Sequence, residues 1–181
     1  VLDIDGTLSL TVDDDEYNDL GEDIKKYFSK ITYKPFENKD ITSDAWVMKR
    51  PYLDDFLDYI FEHFNVGVWS IGQPGYVNEI VKYLLFDQGH QPAFIYNFTN
   101  CHRCYDPIRF TKPLNKCPSK GYGIIIEDQL DVISEGDEYI LIPEFDIIYD
   151  DEEMELFNEM RLINDTELLD LMDQMEVIIS E

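Results

Sequence analysis

Apolar positions recur along this chain with two different periods, and the switches between them mark out its elements. In "RPYLDDFLDYIFEHF", Leu53, Phe56, Leu57, Ile60, Phe61 and Phe64 fall three or four apart on one helical stripe, and Pro51 suits its first turn. "NVGVWS" then reads as a short apolar strand, and "PGYVNEIVKYLLF" returns to helical spacing through Val77, Ile80, Val81, Leu84 and Leu85. "PAFIYNF" predicts another strand, in which Phe94, Tyr96 and Phe98 alternate with Ile95 and Asn97 and so pack on one side. "YGIIIED" is a run of β-branched residues ending in acids, the pattern of a central parallel strand covered on both faces. "EYILIP" predicts one more strand. "NDTELLDLMDQMEV" predicts a closing helix, capped by Asn164 or Asp165, with Leu168, Leu169, Met172 and Met175 inward. Strands alternating with helices predict an α/β fold on a mainly parallel sheet, whose strand carboxyl ends are where ligands gather.

One segment breaks the alternation. Residues 9–49 are polar and acidic, with only Ile24, Tyr27, Phe28 and Ile31 at helical spacing, and they read as an insertion with one short helix, too sparse for a packed lid. The whole, residues 1–181, is expected to be one domain with this acidic flap after its first strand. A hydrophobic content of 44% and an aromatic content of 14% support a sizeable core. Lys+Arg 14 against Asp+Glu 39 gives 14 − 39 = −25, which repels nucleic-acid phosphates and anionic membrane surfaces, so neither is an expected partner. The acids concentrate in "DDDEYNDLGED" (13–23) and "DDEEMELFNE" (150–159), which read more readily as solvated faces than as docks for a basic partner. No stretch has the apolar length of a membrane span. Three cysteines, an odd number, argue for a reducing, intracellular setting, and a monomer is expected. Val1 stands inside an apparent strand, so upstream residues are expected and an N-terminal signal is not observable.

The strand ends carry the chemistry. Asp3 and Asp5 lie two apart on an extended segment and so point to one side, and like charges held together call for a divalent metal or a shared catalytic task. Ser70, Glu127 and Asp128 fall at other strand ends. Any one of these alone is unremarkable; an Asp pair is more often a turn or cap. "CHRC" with Cys117 and His90 has only one CxxC pair, which favours free thiols over a zinc site, and His63 reads as a boundary residue.

"DIDGT", "VWS", "TKPL" and "IIIED" resemble, in order, the four motifs of the haloacid dehalogenase superfamily of aspartyl-phosphate phosphatases. Within it, "KRPYLDDFLDYI", "TKPLNK" and "NDTELLDLMDQME" are similar to segments of the RNA polymerase II CTD phosphatases, the small CTD phosphatase branch, over about residues 1–177. The resemblance implies a three-layer Rossmannoid fold and a magnesium-dependent phosphatase with a phospho-aspartate intermediate, acting on phosphoserine or phosphothreonine of a protein such as the polymerase tail. It implies Asp3 as nucleophile and Asp5 as proton donor and then water activator, with its backbone carbonyl a metal contact. Ser70 and the Ile71 and Gly72 amides would bind the phosphoryl group, and Lys112 would supply positive charge, with Lys116 the runner-up. Asp128 is the expected direct Mg2+ ligand beside Asp3, Glu127 a water-mediated one, and Thr7 is expected to orient the loop around Asp3. Three positions depart from the branch: Gly6 replaces a bulkier acid, Ser70 stands where threonine is frequent, and Glu127 leads the fourth motif. A metabolite phosphatase using residues 9–49 as a cap, and a non-catalytic interaction module, are the competing readings; five retained site residues argue against the module.

Overall fold

The computed structural model describes residues 1–35, 40–105, 107–118, 122–147 and 160–180. Its elements are β1 (Ser9–Val12), α1 (Asp14–Asp19), α2 (Glu22–Lys25), β2 (Phe28–Tyr33), β3 (Ser43–Lys49), α3 (Leu53–His63), β4 (Val68–Trp69), α4 (Pro74–Leu84), β5 (Ile95–Tyr96), β6 (His102–Tyr105), β7 (Ile108–Thr111), β8 (Ile124–Glu127), β9 (Glu138–Leu141) and α5 (Glu167–Ser180). The acidic run 150–159 lies outside the described residues.

A parallel sheet assembles around the first residues of the chain. Leu2 bridges Val68 of β4 on one side and Ile126 of β8 on the other, both in parallel, while β4 pairs with β5 and β8 with β9. The order across the sheet is therefore β5, β4, the Leu2 segment, β8, β9. Leu2 and Ile4 are fully buried, as the reading of a central first strand requires. The apolar stripes of α3, α4 and α5 close one core with this sheet: Phe56, Leu57, Val77, Ile80, Leu168 and Leu171 all belong to it. The expected alternation of strands and helices on a parallel sheet is what the chain forms.

Three local expectations change. Pro51 sits in the turn before α3 rather than in its first turn, because Tyr52 takes a left-handed conformation (φ 63°) and the helix starts at Leu53. On α5 it is Leu171, not Leu169, that is fully buried with Leu168 and Met175. The largest difference is residues 9–49. The helix expected through Ile24 and Ile31 is confined to the single turn of α2, and Phe28–Tyr33 is a strand, since a short window of apolar residues fits either period and pairing with β3 decides it. Strands β1, β3 and β2, in that order, form an antiparallel sheet. Its Leu10, Val12, Ile24, Phe28 and Met48 build a second hydrophobic cluster with Phe145 and Leu162. The segment is a packed layer, not a sparse one.

A buried arginine ties these parts together. Arg50, at the end of β3, gives Nε and Nη2 to the two carboxylate oxygens of Asp165 at 2.8 and 2.9 Å, just ahead of α5. Its Nη1 donates to the carbonyls of Gly6 and Thr7 (3.3 and 3.1 Å), and Nη2 to that of Pro143 (2.9 Å). One planar guanidinium thus satisfies three otherwise buried carbonyls and a carboxylate. Arg50→Met is expected to destabilise the protein by about 3–5 kcal/mol, the scale for breaking a buried pair. Urea denaturation measures it, and a loss under about 1 kcal/mol would reduce the contact to the value of a surface ion pair.

Candidate active site

The backbone brings three strand ends to one place. Asp3 follows Leu2, and its N–H bonds Ile126 O of β8 at 3.1 Å; Trp69 N–H bonds Leu2 O at 2.9 Å, which sets Ser70 beside the first segment. Glu127 and Asp128 end β8. Lys112 enters from the β6–β7 ribbon, its N–H held by Val132 O at 2.8 Å. Its ammonium reaches Asp3 Oδ1 and lies 2.7 Å from Glu127 Oε2. All three side chains are buried.

Burial is the largest influence on each of these groups. It pushes the Asp3 carboxyl well up, against the opposing pull of Lys112, and it lifts Glu127 to about 7. For Lys112 burial acts downward, but the carboxylates of Asp3 and Glu127 outweigh it and hold the ammonium above its ordinary range. The lysine is therefore a fixed positive charge, and Lys116, exposed with Nζ on Asn100 O at 3.2 Å, does not share this place.

Oxygen atoms of Asp3, Glu127 and Asp128 converge within 4.8 Å of one another, the one such cluster among the described residues. Glu127 has both oxygens engaged, Oε2 by Lys112 and Oε1 by the Gln129 N–H at 3.3 Å. Asp128 has only Oδ1 engaged, by the Thr7 hydroxyl at 3.0 Å, while its Oδ2 is buried with no hydrogen-bond partner. An orphaned carboxylate oxygen aimed at other carboxylates fits a hard divalent cation, and it fits direct ligation by Asp128 with Glu127 further out. Through this bond Thr7 ties the loop that follows Asp3 to the end of β8. Gly6 explains its own identity: its φ is +80°, and a Cβ there would stand 2.7 Å from Asp128 Oδ2.

Asp5 lies off this cluster. Its Oδ1 accepts from the Tyr76 hydroxyl, which also contacts Thr11 Oγ1 at 2.8 Å. Burial raises the Asp5 carboxyl, and the hydrogen bonds from Tyr76 and Thr11 hold the rise back. Ser70 Oγ accepts from the Gly72 N–H at 2.9 Å, so that amide is committed to positioning the serine. Gly72 leaves no room for a side chain, since a Cβ would meet Tyr76 Cδ1 at 2.8 Å. Ile71 is half-buried beside them. Arg50, Tyr76 and Thr11 were not singled out from sequence; the arginine of "KRP" was the available signal for the first, and the other two become visible only when β1 packs on α4. Cys101, Cys104 and Cys117 form no disulfide, and His90 faces Asp58 at 3.2 Å.

The family model of the NLI interacting factor-like phosphatases matches residues 1–178. The chain belongs to that family. Among curated members of similar sequence, the CTD phosphatase-like proteins 355R of invertebrate iridescent virus 6 and invertebrate iridescent virus 3 are 35% and 34% identical over 81 and 82 residues, 45% of this chain in each case. Each match takes in only 41% of the viral protein. The fold is shared with Fcp1, the fission yeast RNA polymerase II CTD phosphatase, in an arginine-to-alanine variant bound to beryllium fluoride: TM-score 0.66 at 15% identity, over 99% of this chain and 61% of that one. A second Fcp1 structure gives the same TM-score at 16% identity and the same coverage. This likeness establishes the haloacid dehalogenase-like fold expected from the motifs. No helix among the described residues is long and apolar enough to cross a membrane.

In this family member Gly6→Ala is expected to cost about 1–3 kcal/mol, from a strained φ and a displaced Asp128. It is also expected to weaken Mg2+-induced thermal stabilisation. A variant with parent stability and an unchanged Mg2+ shift would remove the argument that Gly6 makes room for Asp128.

Proposed function

We propose that this protein is a magnesium-dependent phosphatase that hydrolyses phosphoserine or phosphothreonine in a protein segment through a phosphoryl group on Asp3. The observation that carries the reading is the buried Lys112 ammonium on Asp3 and Glu127, with the orphaned Asp128 oxygen beside them. The residues present fit Mg2+ through Asp3, Asp128 and the Asp5 carbonyl, with Glu127 through water, and the ion when bound offsets the repulsion between carboxylate and phosphate dianion.

The chain's own residues then divide the work. An oxygen of Asp3 forms the new bond to phosphorus while the ester P–O bond breaks, and Asp5 gives its proton to the departing serine or threonine oxygen. Asp5, now a carboxylate, takes a proton from the attacking water as the bond from phosphorus to Asp3 breaks, which releases phosphate and restores both aspartates. Lys112 keeps positive charge at the Asp3 oxygen throughout, and the Ser70 hydroxyl with the Ile71 N–H faces the phosphoryl oxygens. Tyr76, bonded to Asp5 Oδ1, positions the carboxyl so that proton exchange falls to the other oxygen.

The substrate class is supported by the shape beside Asp5. A groove of about 370 Å³ runs past Asp5, Thr11, Tyr33, Asp44 and Tyr76, between the antiparallel sheet and α4, and it is open to solvent. A groove bordering the proton donor suits an extended chain that carries the phosphorylated side chain inward, whereas a small metabolite is usually enclosed. The viral relatives' CTD phosphatase-like names agree with the polymerase tail as the model substrate.

Hydrolysis of an aryl phosphate should require Mg2+ and stop on chelation, and turnover surviving excess chelator would end the carboxylate-metal reading. Asp3→Asn is expected to be inactive yet folded. Asp5→Asn should accumulate one phosphoryl group per chain, seen as a mass shift absent from the double variant; finding that group on Asp5 in the parent would reverse the two roles. A phosphoserine heptad peptide should be preferred to a panel of nucleotides and sugar phosphates.

Tyr76→Phe should lower kcat for a phosphoserine peptide by roughly tenfold with KM little changed, and lower aryl phosphate phosphorylation less, since a good leaving group needs little proton donation. Equal losses on both substrates would leave Tyr76 a structural residue.

A further inference from the structure

The chain's excess of acid is not shared by one segment. Between residues 101 and 118 stand Arg103, Arg109, Lys112 and Lys116 against a single acid, Asp106, in a protein of net charge −25. Elsewhere five described lysines are paired with neighbouring carboxylates: Lys25 with Glu22, Lys30 with Asp44, Lys34 with Asp40, Lys49 with Asp54 and Lys82 with Glu79, while Lys26 lies over the ring of Tyr27. Arg103 and Arg109 are exposed and make no ion pair among the described residues; Arg103 lies instead over the ring of Tyr105, 5.3 Å from its centroid.

These arginines sit on the β6–β7 ribbon. The register pairs Arg103 with Phe110, Cys104 with Arg109, and Tyr105 with Ile108, which puts Arg103, Tyr105, Ile108 and Phe110 on one face and Arg109 on the other. Tyr105 and Ile108, near the tip, are 75% and 69% exposed. The base of the ribbon is Thr111, which is buried and runs straight into Lys112 on Asp3. Arg109 therefore stands about 10 Å along the strand from the catalytic lysine, the length of three extended residues. In a chain of net charge −25, two guanidiniums with no ion pair among the described residues form, at this range, a local attractive field beside the site.

We propose that the β6–β7 ribbon is a docking arm for an anionic stretch of the substrate, a second phosphoryl group or carboxylates a few residues from the phosphorylated side chain at Asp3. This rests on the phosphatase reading and adds the substrate's flanking charge to it. Arginine is suited to the task, because its planar fork binds phosphate or carboxylate through two hydrogen bonds, and the exposed Tyr105 ring gives the chain a surface to lie against. The arm also offsets the general repulsion between an acidic enzyme and an acidic substrate.

The test compares three substrates in Mg2+: an aryl phosphate, a heptad peptide with one phosphoserine, and the same peptide with a second phosphoserine. The parent should favour the doubly phosphorylated peptide by about tenfold in kcat/KM at low salt, a preference that fades as ionic strength approaches physiological values. In the Arg103→Ala, Arg109→Ala double variant that preference should disappear while aryl phosphate turnover stays within about twofold of the parent. The Arg103→Lys, Arg109→Lys pair should restore most of it, since the field survives. Equal losses on both peptides, a parallel fall on aryl phosphate, or an unchanged preference would each overturn the arm. So would a single-stranded oligonucleotide that inhibits the parent, but not the alanine variant, as strongly as the doubly phosphorylated peptide does, which would assign the ribbon to nucleic acid. If the parent hydrolyses none of the three, the phosphatase reading fails and the arm with it; if the parent hydrolyses all three and the variants do not discriminate, the arm alone fails.

Discussion

Three carboxylates, those of Asp3, Glu127 and Asp128, stand within 4.8 Å of one another where little water reaches them. At that separation each pair of charges repels by about 3–4 kcal/mol even at an effective dielectric near 20, so the cluster cannot persist as three bare anions. Lys112 removes part of that repulsion by sitting on Asp3 and Glu127; burial, ahead of the charge of Asp128, lifts the Glu127 carboxyl to about 7. Asp128 is left with a buried oxygen and no donor. The cluster thus has room for a further positive charge beside Asp128, and adjacent parallel strand ends are what deliver Asp3 and the Glu127–Asp128 pair to one point.

Holding those strand ends in register falls to Arg50. It binds the carbonyls of Gly6 and Thr7 just after the first motif, the carbonyl of Pro143 just after β9, and Asp165 just before α5. Three distant stretches of chain are held by one guanidinium. A cation of fixed planar shape can do this where a lysine could not, since five donors are presented in set directions and the residue never loses its charge. The loop that carries Asp5 and Thr7 is therefore clamped from behind, and Thr7 passes that constraint on to Asp128 through its hydroxyl.

What was legible in the sequence follows from how far each signal reaches. Helices α3 and α4 could be read because their apolar stripes are long, and β8 because three successive isoleucines before two acids have few other uses. Asp3, Lys112, Glu127 and Asp128 were named because each lies in a short motif at a strand end. The antiparallel sheet of residues 9–49 was hidden: "SLTV" and "SDAWVMK" are brief, mixed in polarity, and become strands through pairing with one another across about thirty residues, a long-range contact that no local window records. Tyr76 was hidden in the same way. It was passed over on a helix already explained by Val77 and Ile80, and its hydroxyl acquires a meaning only when β1 brings Thr11 against it.

That last contact joins recognition to chemistry. The three-stranded sheet is packed, with a hydrophobic cluster of its own, and through Thr11 and Tyr76 it touches the carboxyl that moves protons in the proposed reaction. On one side of Asp5, then, a groove wall and the proposed acid/base group share a hydrogen-bond chain; on the other, Lys112 is continuous in sequence with a ribbon that carries Arg103 and Arg109 in an acidic protein. Binding energy from a long substrate is best used where it aligns reacting groups rather than where it merely adds contacts, and here the groove borders Asp5 while the ribbon leads in sequence to Lys112 on Asp3. An acidic enzyme that takes an anionic substrate needs such an arrangement: general attraction is unavailable to it, so affinity has to come from a few cations and hydroxyls placed at the mouth of the site.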